Sequence, residues 1–167
     1  MRVDRTLLKI LPRERLAEVA SELHQKGEQI VFTNGCFDVI HAGHARYLRN
    51  AKAIGDYLIV GINTDDSVRK LKGENRPIMQ EQDRAELIAS LECVDYVTLF
   101  GEDTPVEIIR LIKPNIHVKG GDYKGKTLPE EAAVNENGGK VVIVPLVEGR
   151  STTNVIDRIA ELNGKEE

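Results

Sequence analysis

The chain has no tryptophan, only two cysteines among 167 residues, and no surplus of positive charge. Each absence removes a class of function. Its formal charge is −4, from 23 lysines and arginines against 27 aspartates and glutamates. That balance argues against an electrostatic nucleic-acid or membrane-surface binder, since those carry a basic excess. No stretch approaches the roughly eighteen apolar residues that span a bilayer. Met1 to Ile10 carries Arg2, Asp4, Arg5 and Lys9 and lacks the apolar centre of a signal peptide. Cys36 and Cys93 make no disulfide framework, nothing pairs either with a base, and both read as packing residues. A Walker-type Gly-Lys-Ser/Thr is missing, which excludes a P-loop enzyme. Internal repeats, low-complexity tracts and interdomain linkers are missing too.

What remains is ordinary globular material. Hydrophobic residues make up 41% of the chain, enough for a substantial core. The expectation is one cytoplasmic domain over 1–167, with an N-terminal helical extension (1–27), a core (28–162) and a frayed tail (163–167).

Periodicity predicts strands over 29–33, 57–62, 94–100, 116–119 and 140–145, most of them nearly continuous apolar runs, as parallel strands covered on both faces must be. Between and around them the 3.6-residue pattern predicts helices over 12–26, 43–54, 80–91, 104–112, 129–136 and 151–162, with Thr104 capping one of them ahead of Pro105. Residues 63–66 read as a polar loop and 67–76, with Arg69, Lys70, Lys72 and Arg76 around Gly73, as a mobile basic connection. Five alternations of strand and helix imply an α/β fold, a Rossmann-like doubly wound five-stranded parallel sheet with helices on both faces. Ligands of such sheets bind outside the carboxyl ends of the strands. The turns at those ends hold the polar, glycine-rich and basic residues: 33–44, 63–65, 120–122 and 148–153.

The first of these turns is the most telling. Thr33-Asn34-Gly35-Cys36-Phe37-Asp38-Val39-Ile40-His41-Ala42-Gly43-His44 carries an apolar strand into a helix start, with two imidazoles three residues apart. A helix N-terminus offers unpaired N–H groups and about half a positive charge, a ready anion site. Gly149-Arg150-Ser151-Thr152-Thr153 opens the last helix with hydroxyls and a cation. Arginine and lysine neutralise the spread charge of a polyphosphate. This inventory suits transfer at a nucleotide phosphorus, where catalysis is mostly positioning and electrostatic stabilisation.

Plainer roles stand beside these. His-x-x-His can be a metal pair or two surface histidines. Asp38 can be a catalytic acid or can fix its loop by accepting backbone amides, the latter being the favoured reading. The Arg69–Lys72 run can be a solvated face, Ser151 to Thr153 would cap a helix in any case, and Gly120-Gly121 can simply make a turn. His117 reads as a satisfied core residue and His24 as exposed helix surface.

Residues 33–44 resemble the HxGH signature of the nucleotidyltransferase superfamily, which includes the cytidylyltransferases. Glu148 to Thr153 resembles its second signature, containing Ser-Thr-Thr. Within that superfamily the wording of 32–38 and 144–153 is most similar to the heptose 1-phosphate adenylyltransferases of ADP-heptose synthesis, which occur alone or fused behind a sugar kinase; no kinase-sized segment is present here. The resemblance implies transfer of AMP from ATP to D-glycero-β-D-manno-heptose 1-phosphate, with Mg²⁺ escorting the phosphates. Glycerol-3-phosphate cytidylyltransferase, flavin-nucleotide synthetase and a non-catalytic nucleotide-binding module are the alternatives. The cytidylyltransferase pattern has an arginine ahead of Glu-Gly where this chain has Leu146 and Val147, with Arg150 following instead.

By the same resemblance His41, His44 and Lys72 are catalytic, the histidines as imidazolium ions stabilising charge. ATP would meet Thr33, Asn34, Gly35, Cys36, Phe37, Gly43, Gly120, Asp122, Arg150, Ser151, Thr152 and Thr153. The acceptor would meet Asp38, Asn63, Asp65, Lys70 and Arg84. No protein metal ligand is assigned, nucleic acid and membrane are not expected as partners, and a homodimer through an apolar edge or the first helix is open.

Overall fold

In the computed structural model, residues 5–121, 125 and 127–164 are described. A single 3-10 turn at Leu7–Lys9 precedes helix α1 (Arg13–Gln25). Then come β1 (Ile30–Gly35), α2 (Ala42–Lys52), β2 (Tyr57–Asn63), α3 (Asp65–Lys72), α4 (Glu81–Ala89) and β3 (Tyr96–Phe100). They are followed by α5 (Val106–Ile112), β4 (Ile116–Gly120), α6 (Glu131–Asn135), β5 (Lys140–Val144) and α7 (Thr152–Asn163).

All pairings are parallel and the strand order is β3-β2-β1-β4-β5, the doubly wound arrangement expected. The order reverses between β1 and β4, so a crevice opens there at the carboxyl ends. Side chains alternate across the sheet and build two cores. On one face Val31, Leu58, Val60 and Val118 pack against Leu48 and Ala51 of α2 and Ala85, Ile88 and Ala89 of α4. On the other, Ile30, Phe32 and Ile59 pack against Leu16, Val19, Ala20 and Leu23 of α1 and Ile108, Ile109 and Ile112 of α5. The N-terminal helix is thus part of the core. A lone bridge between Ile10 and Val97 ties its approach to β3.

Two local expectations are corrected. The 64–72 stretch is not a mobile connection: Thr64 caps α3 by accepting from the Ser67 N–H at 3.4 Å, and Gly73 ends it at φ +102°. Asp65 and Asp66 in its first turn and Arg69, Lys70 and Lys72 in its last match the helix dipole, which accounts for the basic run without a ligand. Thr104 does not cap α5; Pro105 stands at the N-cap and the helix begins at Val106. Asp122 and the end of the expected frayed tail, 165–167, lie outside the described residues.

Leu48, fully buried, seats α2 on the sheet and thereby sets where the helix start points. Leu48→Ala should cost ~2–5 kcal/mol, read as a lower urea midpoint at unchanged slope.

Candidate active site

A cavity of about 830 Å³ lies over the crevice, within the range of small-molecule sites. Two helix N-termini face it. At the start of α2 the histidines cap the helix with their own rings: His41 Nδ1 accepts from the Gly43 N–H at 3.1 Å, and His44 Nδ1 accepts from the His41 N–H at 3.2 Å. A nitrogen that accepts carries no hydrogen, so each neutral ring holds its proton on Nε2. Two N–H donors of fixed tautomer result, with ring centroids 4.1 Å apart. At the start of α7, Ser151 Oγ accepts from the Asn154 N–H at 3.1 Å while Thr152 Oγ1 donates to the Asp38 carbonyl at 2.8 Å. The two starts nearly touch. A Cβ on Gly43 would lie 2.8 Å from the His41 ring and 3.1 Å from Arg150 Cβ, so only glycine admits this approach.

The turn joining β1 to α2 is strained. Phe37 and Val39 have φ of +49° and +46°, a region costly for a β-branched residue. Asp38, between them, is buried and holds the turn. Its carboxylate accepts from the Ile78 and Met79 N–H groups at 2.8 and 2.9 Å and from Arg76 Nε at 2.9 Å. Although burial pushes the other way, these bonds keep the Asp38 carboxyl below its ordinary range.

Of the expected residues, Asn34 to Asp38, His41, Gly43, His44, Asn63, Lys72, Gly120 and Arg150 to Thr153 line the cavity. Four do not. Thr33 is buried, its hydroxyl spent on Tyr47 Oη at 2.8 Å and the Val118 carbonyl at 3.0 Å. Arg84 is 0% exposed and bonds the Met79 and Cys36 carbonyls and, at 2.8 Å, Asp65 Oδ1. It braces the signature turn against α4 instead of meeting a substrate phosphate, and Asp65 is its counter-ion. Lys70 falls away from the cavity on α3, and Arg69 pairs with Asp66 at 2.5 Å on the exposed face. Among charged side chains at the cavity, Arg76, Asp103, Lys119 and Glu130 went unread in the sequence. Lys119 lies in an apolar strand and is exposed to a ligand only because β4 neighbours β1.

Burial depresses the basicity of both signature histidines. His44 falls to about 4, with His41 beside it adding repulsion, and His41 is lowered by burial and by Arg150. Without phosphates they are neutral donors, not the imidazolium ions expected. His117, stacked on Phe32 at 5.4 Å, is lowered by burial, against its 3.4 Å contact with Glu130.

A parallel α/β sheet with two helix N-termini, a histidine pair and cations gathered at its switch point defines a phosphate-handling nucleotide fold. The chain matches the cytidylyltransferase-like family over residues 32–158 and belongs to it. It is 51% identical over 153 residues to a protein of Trichlorobacter lovleyi named bifunctional protein HldE, covering 92% of this chain and 31% of that one. A protein of the same name from Aliarcobacter butzleri is 53% identical over 148 residues, 89% of this chain and 30% of the relative. The chain therefore spans about a third of the length of these curated relatives. Among solved structures, a lipopolysaccharide core biosynthesis protein from Thermoplasma volcanium superposes with a TM-score of 0.62 at 31% identity, over 74% of this chain and 100% of that one. A pantoate-beta-alanine ligase from Francisella tularensis, at 16% identity and a TM-score of 0.57 over 91% of this chain and 77% of that one, shares the fold. No helix among the described residues is long and apolar enough to cross a membrane.

Because the unfolded chain protonates His44 near 6.5 and the folded one only near 4, acid favours unfolding. Stability is fully present above about pH 6.5 and should decline toward about pH 4, more shallowly in His44→Gln. Urea midpoints across that range read the difference.

Proposed function

We propose that this domain is an adenylyltransferase that joins the AMP part of ATP to D-glycero-β-D-manno-heptose 1-phosphate, releasing pyrophosphate. One observation carries the proposal: the histidine-capped start of α2 and the Arg150-bearing start of α7 abut across Gly43 at one wall of the cavity. The wording of the two signatures and the relatives' shared name support the choice of acceptor.

An oxygen of the sugar phosphate attacks the α-phosphorus of ATP, and the bond from that phosphorus to the α–β bridging oxygen breaks in line, so pyrophosphate leaves. The nucleophile is a phosphomonoester whose second pKa is about 6, so it is already ionised and needs no base. The Nε2–H groups of His41 and His44 donate to the α-phosphate and to the departing oxygen. Phosphates arriving beside the rings raise their basicity, so the pair can gain positive charge as ATP binds. Arg150 and the N–H groups at the start of α7 take the β- and γ-phosphates, and Lys72 and Arg76 neutralise them from the α3 side.

No group of three or more metal-ligating side chains occurs among the described residues. That donor set fits Mg²⁺ brought in on the ATP phosphates with its own waters, as the ion is commonly held. Bound so, it neutralises phosphate charge.

Pyrophosphate release across ATP and CTP against heptose 1-phosphate, glycerol 3-phosphate and FMN tests the assignment. ATP with heptose 1-phosphate should be the productive pair; turnover with CTP in its place would overturn it. His41→Ala and His44→Ala should each lower turnover by ~10²–10³ with the circular dichroism spectrum retained. Near-wild-type rates would remove the histidines from the mechanism.

A further inference from the structure

We propose that the part of the cavity on the α1–α5 face of the sheet, at the ends of β1, β3 and β4, is the subsite that reads the acceptor's sugar hydroxyls. Asn34 is its positioned donor and Asp103 its acceptor. The inference rests on the reading of the domain as a sugar-phosphate nucleotidyltransferase and takes Asn34 out of the ATP set that the sequence suggests.

The sheet itself divides the cavity. Thr33 points to the α2 face, where it meets Tyr47. Asn34, one residue on, points to the opposite face, as do Phe32 on its own strand and Phe100 on β3, which pack with α1 and α5. The signature histidines and Arg150 stand on the α2–α7 side. Charge separates the two lobes as well. On the Asn34 side the lysine at the cavity wall, Lys119, is 7% exposed and meets Glu130 Oε1 at 2.6 Å. Glu130 is 3% exposed, and its carboxyl is held down at about 2, because the Lys119 and His117 contacts outweigh burial. Each charge of the pair cancels the other, and Asp103 is anionic, so this lobe has no surplus cation for a polyphosphate. It has Asn34, Asp103 and Thr104 as neutral or anionic hydrogen-bonding groups beside the ring of Phe100. That mixture suits a polyhydroxylated ring with apolar C–H faces.

Lys119 also decides which way Asn34 faces. Its Nζ lies 3.1 Å from Asn34 Oδ1. An ammonium can only donate, so the amide oxygen is fixed toward Lys119 and the amide nitrogen keeps its two hydrogens for a ligand. Glu130 anchors Lys119 and thereby the amide. Lys119 and Glu130 are positioning residues. On the other flank the nucleoside has its own exit, past Gly120, where a Cβ would lie 2.8 Å from Leu146.

Equilibrium binding separates the two lobes. Calorimetry would measure a non-hydrolysable ATP analogue alone, then heptose 1-phosphate in its presence, for wild type, Asn34→Ala and Asp103→Ala. Each substitution should weaken the sugar phosphate about tenfold, the worth of one good hydrogen bond, and leave the ATP analogue within about twofold. Lys119→Met should weaken the sugar phosphate alone but add less than about twofold in the Asn34→Ala background, since it acts through that amide. Weaker binding of the ATP analogue would place the nucleoside in this lobe and overturn the inference. So would unchanged sugar binding in both Asn34→Ala and Asp103→Ala. Wild type that turns over heptose 1-phosphate without this asymmetry loses only the subsite. Wild type that binds the sugar phosphate with the asymmetry but never turns it over loses only the adenylyltransferase reading.

Discussion

The carboxylate of Asp38 is the contact on which the site depends. It is buried at the centre of a turn whose neighbours on either side, Phe37 and Val39, sit in left-handed backbone. Each such residue costs roughly 1–3 kcal/mol. Each hydrogen bond to the carboxylate returns roughly 1.5–3 kcal/mol, and there are three, from Arg76, Ile78 and Met79. The clasp therefore outweighs the strain, and it does more than hold one turn. It draws the 76–79 segment over the signature, while the Asp38 carbonyl receives Thr152 and so fixes the start of α7 beside the start of α2. Three elements distant in sequence acquire one geometry from a single residue.

Buried charge elsewhere follows the same logic. Arg84, without solvent exposure, has Asp65 and two carbonyls as partners, so all three of its guanidinium nitrogens are used. Lys119 and Glu130 satisfy each other at the cavity wall. Such pairs add little net stability over apolar replacements, because desolvation offsets their attraction. Their value here is directional: one braces the back of the signature turn against α4, the other orients an amide at its front.

The architecture was legible because each strand is an apolar run and each helix core stripe recurs at the proper spacing; Leu16, Val19, Ala20 and Leu23 were recognisable as an inward face from spacing alone. The signature turn and the Ser-Thr-Thr turn were legible for a different reason, since their glycines, hydroxyls and histidines have little use inside a strand or helix. Helix α3 was hidden because its basic last turn resembles a ligand loop until the dipole and the Thr64 cap are taken into account. Arg84 was misjudged because an arginine in an amphipathic helix gives no sign of being turned inward. Lys119 and Asp103 were invisible for a topological reason. Their approach to β1 depends on strand order, which no local pattern carries. The ring tautomers were equally beyond a linear reading, because they are set by which backbone N–H each Nδ1 meets.

The left-handed residues of the signature turn give the molecule two stabilities instead of one. The sheet and its two apolar cores hold no comparable strain, whereas the turn is held against its own backbone preference by a few polar bonds. It is thus the cheapest part of the molecule to open, a sub-global unit whose release leaves the cores intact. On warming, catalytic competence and foldedness should part company, with the site relaxing while the sheet still stands. The temperature range in which the protein works is then set by one aspartate, and the range in which it survives is set by its apolar layers.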